Sequence, residues 1–190
     1  MGSCKRKLRD VIPGVMSQTD SDAGFQKGYR FLPVSVWTTD TAKPPTAGVY
    51  GTTARSQLAY MSFTDTEANY LYATWVVPRD YYNGLKLKVH WNANSTKATT
   101  AVIFSAEVRV VTLAALVDGT GTTASAVALA PTGTAYQLRT SEIDLDISGV
   151  SYTVGDVVMI CLYRNTGATG DDMTTGALML GGELRWNRSA

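Results

Sequence analysis

The 190-residue chain has a single histidine, His90, and only two cysteines, Cys4 and Cys161. One imidazole removes most metal and acid/base chemistry from consideration, and two distant thiols build neither a disulfide framework nor a zinc site. Charge is sparse as well: Asp, Glu, Lys and Arg make up 17% of the chain. That excludes a disordered polyampholyte and a coiled coil, which both need more. The formal net charge of +1 creates no global field toward nucleic acid. No apolar run approaches the roughly 20 residues of a membrane span. No apolar h-region follows the basic start, so a secretory signal is not expected. There is no phosphate-cradling Gly-rich loop with Lys-Ser/Thr, and no GxGxxG opening a helix.

What the chain does have is alternation. Leu85, Leu87, Val89 and Trp91 alternate with Lys86, Lys88 and His90, the period of a strand with one wet face. Residues 102–111 alternate in the same way, with Ile103 and Val111 as exceptions that suggest a partly covered second face. Further strands are predicted at 30–38, 57–63, 69–77, 124–129, 136–147, 157–163 and 177–187. The run 157–163 (VVMICLY) is apolar on both faces, which predicts a central strand packed from both sides. The Gly181-Gly182 pair predicts a bulge or a close backbone approach. Residues 42–51, with Pro44 and Pro45, read as a loop, and 78–84 (PRDYYNG) as a turn closed by Asn83-Gly84. No segment carries helical spacing. About nine short strands with turn signals between them predict an all-β fold, an antiparallel β-sandwich of jelly-roll type.

Ahead of this domain, placed at 29–190, residues 1–28 read as an extended N-terminal arm without periodicity. Lys5, Arg6, Lys7, Arg9 and Asp10 give its first ten residues a net +3, leaving −2 for the rest. Lys5, Arg6, Lys7 and Arg9 are therefore candidate assembly contacts, to an acidic partner or to packaged nucleic acid. Gly2 and Cys4 invite acylation, but Arg6 stands where the motif wants Ser or Thr.

Catalytic constellations are scarce. His90 lies between two lysines and reads as a solvated surface residue. Asp144 and Asp146 share a strand face at i, i+2 and could hold a hard cation, but ion sites usually recruit more oxygens. Asp171 and Asp172 follow Arg164 closely, and an Arg–carboxylate pair pinning their loop is the preferred reading. Asn94 and Asn187 match a glycosylation acceptor pattern that needs a secretory context. Tyr70, Tyr72, Tyr81, Tyr82 and Trp91 could stack on sugar faces or fill a core or subunit interface. Tyr81, Tyr82, Asp171 and Asp172 form the candidate loop contact surface. No catalytic residue, metal or cofactor is expected.

The stretch 70–85 (YLYATWVVPRDYYNGL), the strand LKVHW that follows it, and Tyr163-Arg164 before Asp171-Asp172 resemble one group of proteins. These are the jelly-roll virion structural and accessory proteins of tailed bacteriophages: decoration proteins, head or tail fibres and small capsid proteins. The resemblance covers roughly residues 57–187. It implies a non-enzymatic virion component, a homo-oligomer with a trimer as the expected form, joined to other capsid or tail proteins through its arm. The alternative it leaves open is a receptor- or carbohydrate-binding module of a phage tail or fibre, with a host-surface glycan as partner. No membrane partner is expected.

Overall fold

The computed structural model describes residues 26–50, 58–93, 100–112, 120–125 and 134–189. The assembly residues Lys5, Arg6, Lys7 and Arg9, the acylation candidates and Asn94 lie outside them. The described chain is two antiparallel sheets, the jelly-roll sandwich expected from the alternation. Its strands are β1 (Lys27–Pro33), β2 (Thr38–Thr39), β3 (Thr46–Tyr50), β4 (Leu58–Phe63), β5 (Tyr70–Val76), β6 (Tyr81–Ala93), β7 (Phe104–Val111), β8 (Thr122–Ser125), β9 (Arg139–Asp144), β10 (Val157–Arg164) and β11 (Ala177–Arg188). A short 3-10 turn, Val34–Val36, links β1 to β2.

One sheet runs β3-β4-β11-β6-β9, with β1 also paired to β11; the other runs β2-β5-β10-β7-β8. The long β11 is the spine of the first sheet. On one edge it pairs β6, and on the other it pairs β4 through residues 177–179 and β1 through residues 181–187. The change of partner coincides with a register shift between Met179 and Gly181. Here the glycine pair serves the close approach expected of it. A Cβ at Gly181 would lie 2.7 Å from the Phe31 ring, and one at Gly182 3.0 Å from the Trp37 ring.

The alternating residues bury where the pattern places them. Leu85, Leu87, Val89 and Trp91 are fully buried, facing Leu71, Phe104, Val108, Ile160 and Leu162 of the other sheet. Phe104 meets Phe63 and Trp91 edge-on, each with ring centroids 5.7 Å apart. Each such side chain contributes roughly 1.5–3 kcal/mol on burial. The Trp91 indole N–H donates to Ser141 Oγ at 2.9 Å, so its one polar atom is satisfied.

Three expected element boundaries need correction. Residues 42–51 are not wholly loop: β3 begins directly after the prolines, as an edge strand of its sheet, where a missing ladder N–H is tolerated. Residues 81–84 are not turn: β6 starts at Tyr81, and Gly84, at φ 69, supplies a left-handed kink within the strand. The arm boundary also moves, because Lys27 and Gly28 already belong to β1.

The 165–176 loop is clamped from its base. Arg164 is 1% exposed, and all five of its N–H groups find acceptors. Nε lies 3.0 and 3.1 Å from the Asp171 oxygens. Nη2 reaches Asp171 Oδ1 at 2.5 Å and the Met173 carbonyl, and Nη1 reaches Thr175 O at 2.8 Å and Thr64 O at 3.3 Å. Asp171 Oδ2 also accepts the Ile103 N–H at 3.0 Å, while Asp172 accepts the Ala101 N–H. The loop is thereby tied to the chain entering β7. Removing one partner of a buried pair leaves the other charge stranded, at a cost of about 3–5 kcal/mol. Asp171→Asn is expected to lower unfolding stability in urea by about that much. An unchanged midpoint would show that the pair does not hold the loop.

Candidate functional site: the open face of the five-stranded sheet

β10 is the central strand of its sheet, between β5 and β7, as its apolar run implies. Its inward residues Val158, Ile160 and Leu162 are buried in the core. The expectation that both its faces are packed fails for the outward set. Val157 is 37% exposed, and Met159, Cys161 and Tyr163 are half-buried. Among the described residues no third layer covers them.

Strand register sets the neighbours of these residues in rows. Tyr70 lies opposite Tyr163, which lies opposite Ser105; Tyr72 opposite Cys161, then Glu107; Thr74 opposite Met159, then Arg109; Val76 opposite Val157, then Val111. The face is thus aromatic and polar at one end and aliphatic at the other. Across its middle runs a groove of about 270 Å³, reaching from Val36 and Thr38 on the β2 side to Gly121 beside β8. Tyr72, Glu107, Arg109 and Cys161 line it between these walls.

Several contacts fix this lining. The Tyr72 hydroxyl donates to Asp40 Oδ2 at 3.1 Å. Asp40 is itself oriented by the backbone N–H groups of Ala42 and Lys43, at 2.6 and 2.9 Å. Those backbone N–H groups hold the Asp40 carboxyl below its usual range. Burial, with nearby Cys161 and Asp40, pushes the Tyr72 phenol well above the usual tyrosine range. Tyr70 and Tyr163 pack at 5.3 Å with a 45° tilt, and Asn165 Nδ2 donates to Ser105 Oγ at 3.2 Å beside them.

Burial, followed by the charge of Glu107, pushes the Cys161 thiol up from 9.0 to about 12. The thiol is a groove wall and not a nucleophile at neutral pH. Its folded value exceeds its unfolded one. Its contribution to stability is therefore complete below about pH 9 and is lost as the pH rises toward 12. In a Cys4→Ser background, alkylation of folded protein by iodoacetamide at pH 8 is expected to run on the order of a thousandfold slower than in urea. Comparable rates would mean the thiol is open and ionisable.

The residues singled out from sequence separate in space. Tyr70 and Tyr72 face this groove side. Trp91 is core, and Tyr81 packs on the core edge, 6.0 Å from Trp75 and 5.9 Å from Tyr152. Of the expected loop contact surface, Tyr82 is exposed and Asp172 is exposed but engaged with Ala101, while Asp171 is turned inward onto Arg164. Asp171 and Tyr81 are thus parts of the scaffold. His90 is less solvated than the lysines beside it suggested. Its side chain is 20% exposed, with Nε2 3.4 Å from Glu183 Oε2, and β1 sets Phe31 edge-on at 6.0 Å. The carboxylates of Asp144 and Asp146 accept the N–H groups of Asp146 and Gly84, at 3.0 and 3.1 Å. No set of three or more His, Cys, Asp or Glu able to hold a metal occurs among the described residues. Asn187 bridges Lys27 and Asn83. No helix among the described residues is long and apolar enough to cross a membrane.

Reasoning from sequence missed Glu107, Arg109 and Cys161 as parts of one surface. The signal available was the doubly apolar run of β10, whose second face had no assigned cover.

No protein-family model and no curated protein matches the chain. Similar solved structures include CBM35 from Cellvibrio japonicus Abf62, at 10% identity and TM-score 0.45, covering 82% of this chain and 92% of that one. The CBM22-1 xylan-binding domain from Paenibacillus barcinonensis Xyn10C is 16% identical, with TM-score 0.43, covering 81% and 87%. A cyclase from Fischerella sp. TAU is 12% identical, with TM-score 0.43, covering 85% and 90%. Likeness at this level places no ligand on this chain, and a shared architecture hosts unrelated functions.

Proposed function

We propose that the chain is a non-enzymatic carbohydrate-binding module, carried by a tailed-bacteriophage particle as the sequence resemblance implies. The observation that carries this reading is the groove across β5, β10 and β7. It sets a tyrosine, a carboxylate and a guanidinium around an apolar floor of Met159 and Cys161. A sugar offers complementary surfaces: C–H groups for the ring and apolar floor, hydroxyls for Glu107 and Arg109. The volume suits one or two pyranose rings. A glycosidase sets two carboxyl groups across the bond it cleaves. Glu107 is the carboxylate among the described lining residues, which favours holding a glycan over hydrolysing one. On a glycan array, wild-type protein is expected to retain a defined set of oligosaccharides. Tyr72→Ala should weaken binding to them about tenfold, the scale of one aromatic contact of roughly 1–1.5 kcal/mol. A variant that binds as well as wild type rules out the groove as the binding site.

A second reading, assembly without a glycan, is favoured by β1. Its outward Tyr29 and Phe31 are 56% and 53% exposed, apolar surface placed directly after the arm. In that reading the chain decorates the particle as a homo-oligomer, a trimer by expectation, anchored by residues 1–25. Gln26 must be kept, because its carbonyl accepts the Arg188 N–H at 2.8 Å. Deleting 1–25 is expected to leave a folded protein that no longer joins particles, scored by occupancy in electron micrographs. Full occupancy by the truncated form would remove the anchoring role.

A further inference from the structure

The six-stranded sheet carries an aromatic cluster on its own outer surface, away from the groove. Gly48 on β3 lies opposite Tyr60 on β4. A Cβ at Gly48 would stand 2.4 Å from Tyr60 Cζ, so the absence of a side chain is what lets the Tyr60 ring lie across the strand. Tyr50, two residues along β3, packs against Tyr60 at 4.6 Å with a 38° tilt, and edge-on against Tyr136 at 5.5 Å and 76°. The Tyr50 hydroxyl donates to Oδ1 of the buried Asn92 at 2.6 Å, which fixes the middle ring of the three.

Tyr136 is the one non-glycine residue with positive φ among the described residues, at 63°. That left-handed conformation costs a non-glycine residue of order 1 kcal/mol, and such outliers collect where function requires them. Its N–H donates to Ala93 O at 2.8 Å, which holds the strained backbone in place. The side chain gains little packing in return, since it is 58% exposed. A core explanation therefore fails: a tyrosine is held in a conformation that suits glycine, mostly in solvent, beside two ordered rings.

We propose that Tyr60 and Tyr136, propped by Tyr50, form a second carbohydrate subsite that stacks the C–H face of a pyranose ring. This rests on the reading of the chain as a glycan binder. It adds that the module is bivalent, with one site on each sheet. Aromatic faces with phenol hydroxyls at their rims match a sugar ring, which is apolar on its face and polar at its edge. Two sites on opposite layers of one rigid sandwich can engage two stretches of glycan, with the avidity that follows.

The test is titration calorimetry of full-length protein with xylohexaose, cellohexaose, maltohexaose and chitohexaose, continued with whichever binds. Wild type is expected to bind two equivalents. Tyr136→Gly removes the ring and relieves the backbone, so it should keep or raise the melting temperature while reducing the stoichiometry to one. Tyr60→Ala should also reduce it to one, and Tyr72→Ala should remove the other equivalent. One equivalent in wild type, unchanged in Tyr136→Gly, overturns the subsite and leaves the groove standing. Loss of all binding in Tyr136→Gly, with Tyr72→Ala unaffected, supports the subsite and overturns the groove. No binding of any probe overturns both. A fall in sedimentation mass in Tyr136→Gly with glycan binding intact identifies the cluster as a contact between copies, and also overturns the subsite.

Discussion

A two-layer sandwich has only one interior, and β10 has two apolar faces. That mismatch is the constraint on which the rest of the structure turns. The inner set, Val158, Ile160 and Leu162, satisfies the core. The outer set, Val157, Met159, Cys161 and Tyr163, remains partly in solvent at the centre of a sheet. Exposed aliphatic surface in such a position is a cost to a free monomer and an asset to a binding surface. β5 and β7 frame it with Tyr72 on one side and Glu107 and Arg109 on the other, which turns an apolar strip into a graded groove.

Hydrogen bonds fix parts of the frame around the groove. Asp40, fixed by two backbone donors, holds the Tyr72 hydroxyl, and Arg164 ties the loop leaving β10 to the chain entering β7. Both devices use charge-assisted hydrogen bonds, stronger than neutral ones and more exacting in geometry. A site carried by paired strands needs little ordering on binding, so less of the contact energy is consumed by entropy. The residues behind the virion resemblance belong largely to this scaffold: Trp91 fills the core and the Arg164–Asp171 pair closes the loop.

Much of the fold was legible because period-two alternation maps directly onto burial. The run 85–91 buried residue for residue, and the Arg164–carboxylate pair formed as the short spacing suggested. The misreadings have local causes. Pro44 and Pro45 hid β3, since proline excludes a central strand but not the start of an edge one. Asn83-Gly84 imitates a hairpin turn, and only the pairing of Asn83 with Asn187 shows that the strand passes through it. The candidate site was barely legible. Tyr72, Cys161 and Glu107 come from three strands far apart in sequence, and register alone makes them neighbours. Grouping aromatics by proximity along the chain joined Tyr72, on the open face of one sheet, to Trp91, a core residue of the other.

A glycan-binding role for the open face of the five-stranded sheet, as proposed, requires that sugar contact its central rows. Backbone amide shift mapping on isotope-labelled protein, titrated with an oligosaccharide retained on an array, tests it most directly. Saturable shifts centred on the Tyr72, Cys161 and Glu107 row and the neighbouring Arg109 are expected. Titration that leaves this row unmoved, whatever else shifts, would contradict that role.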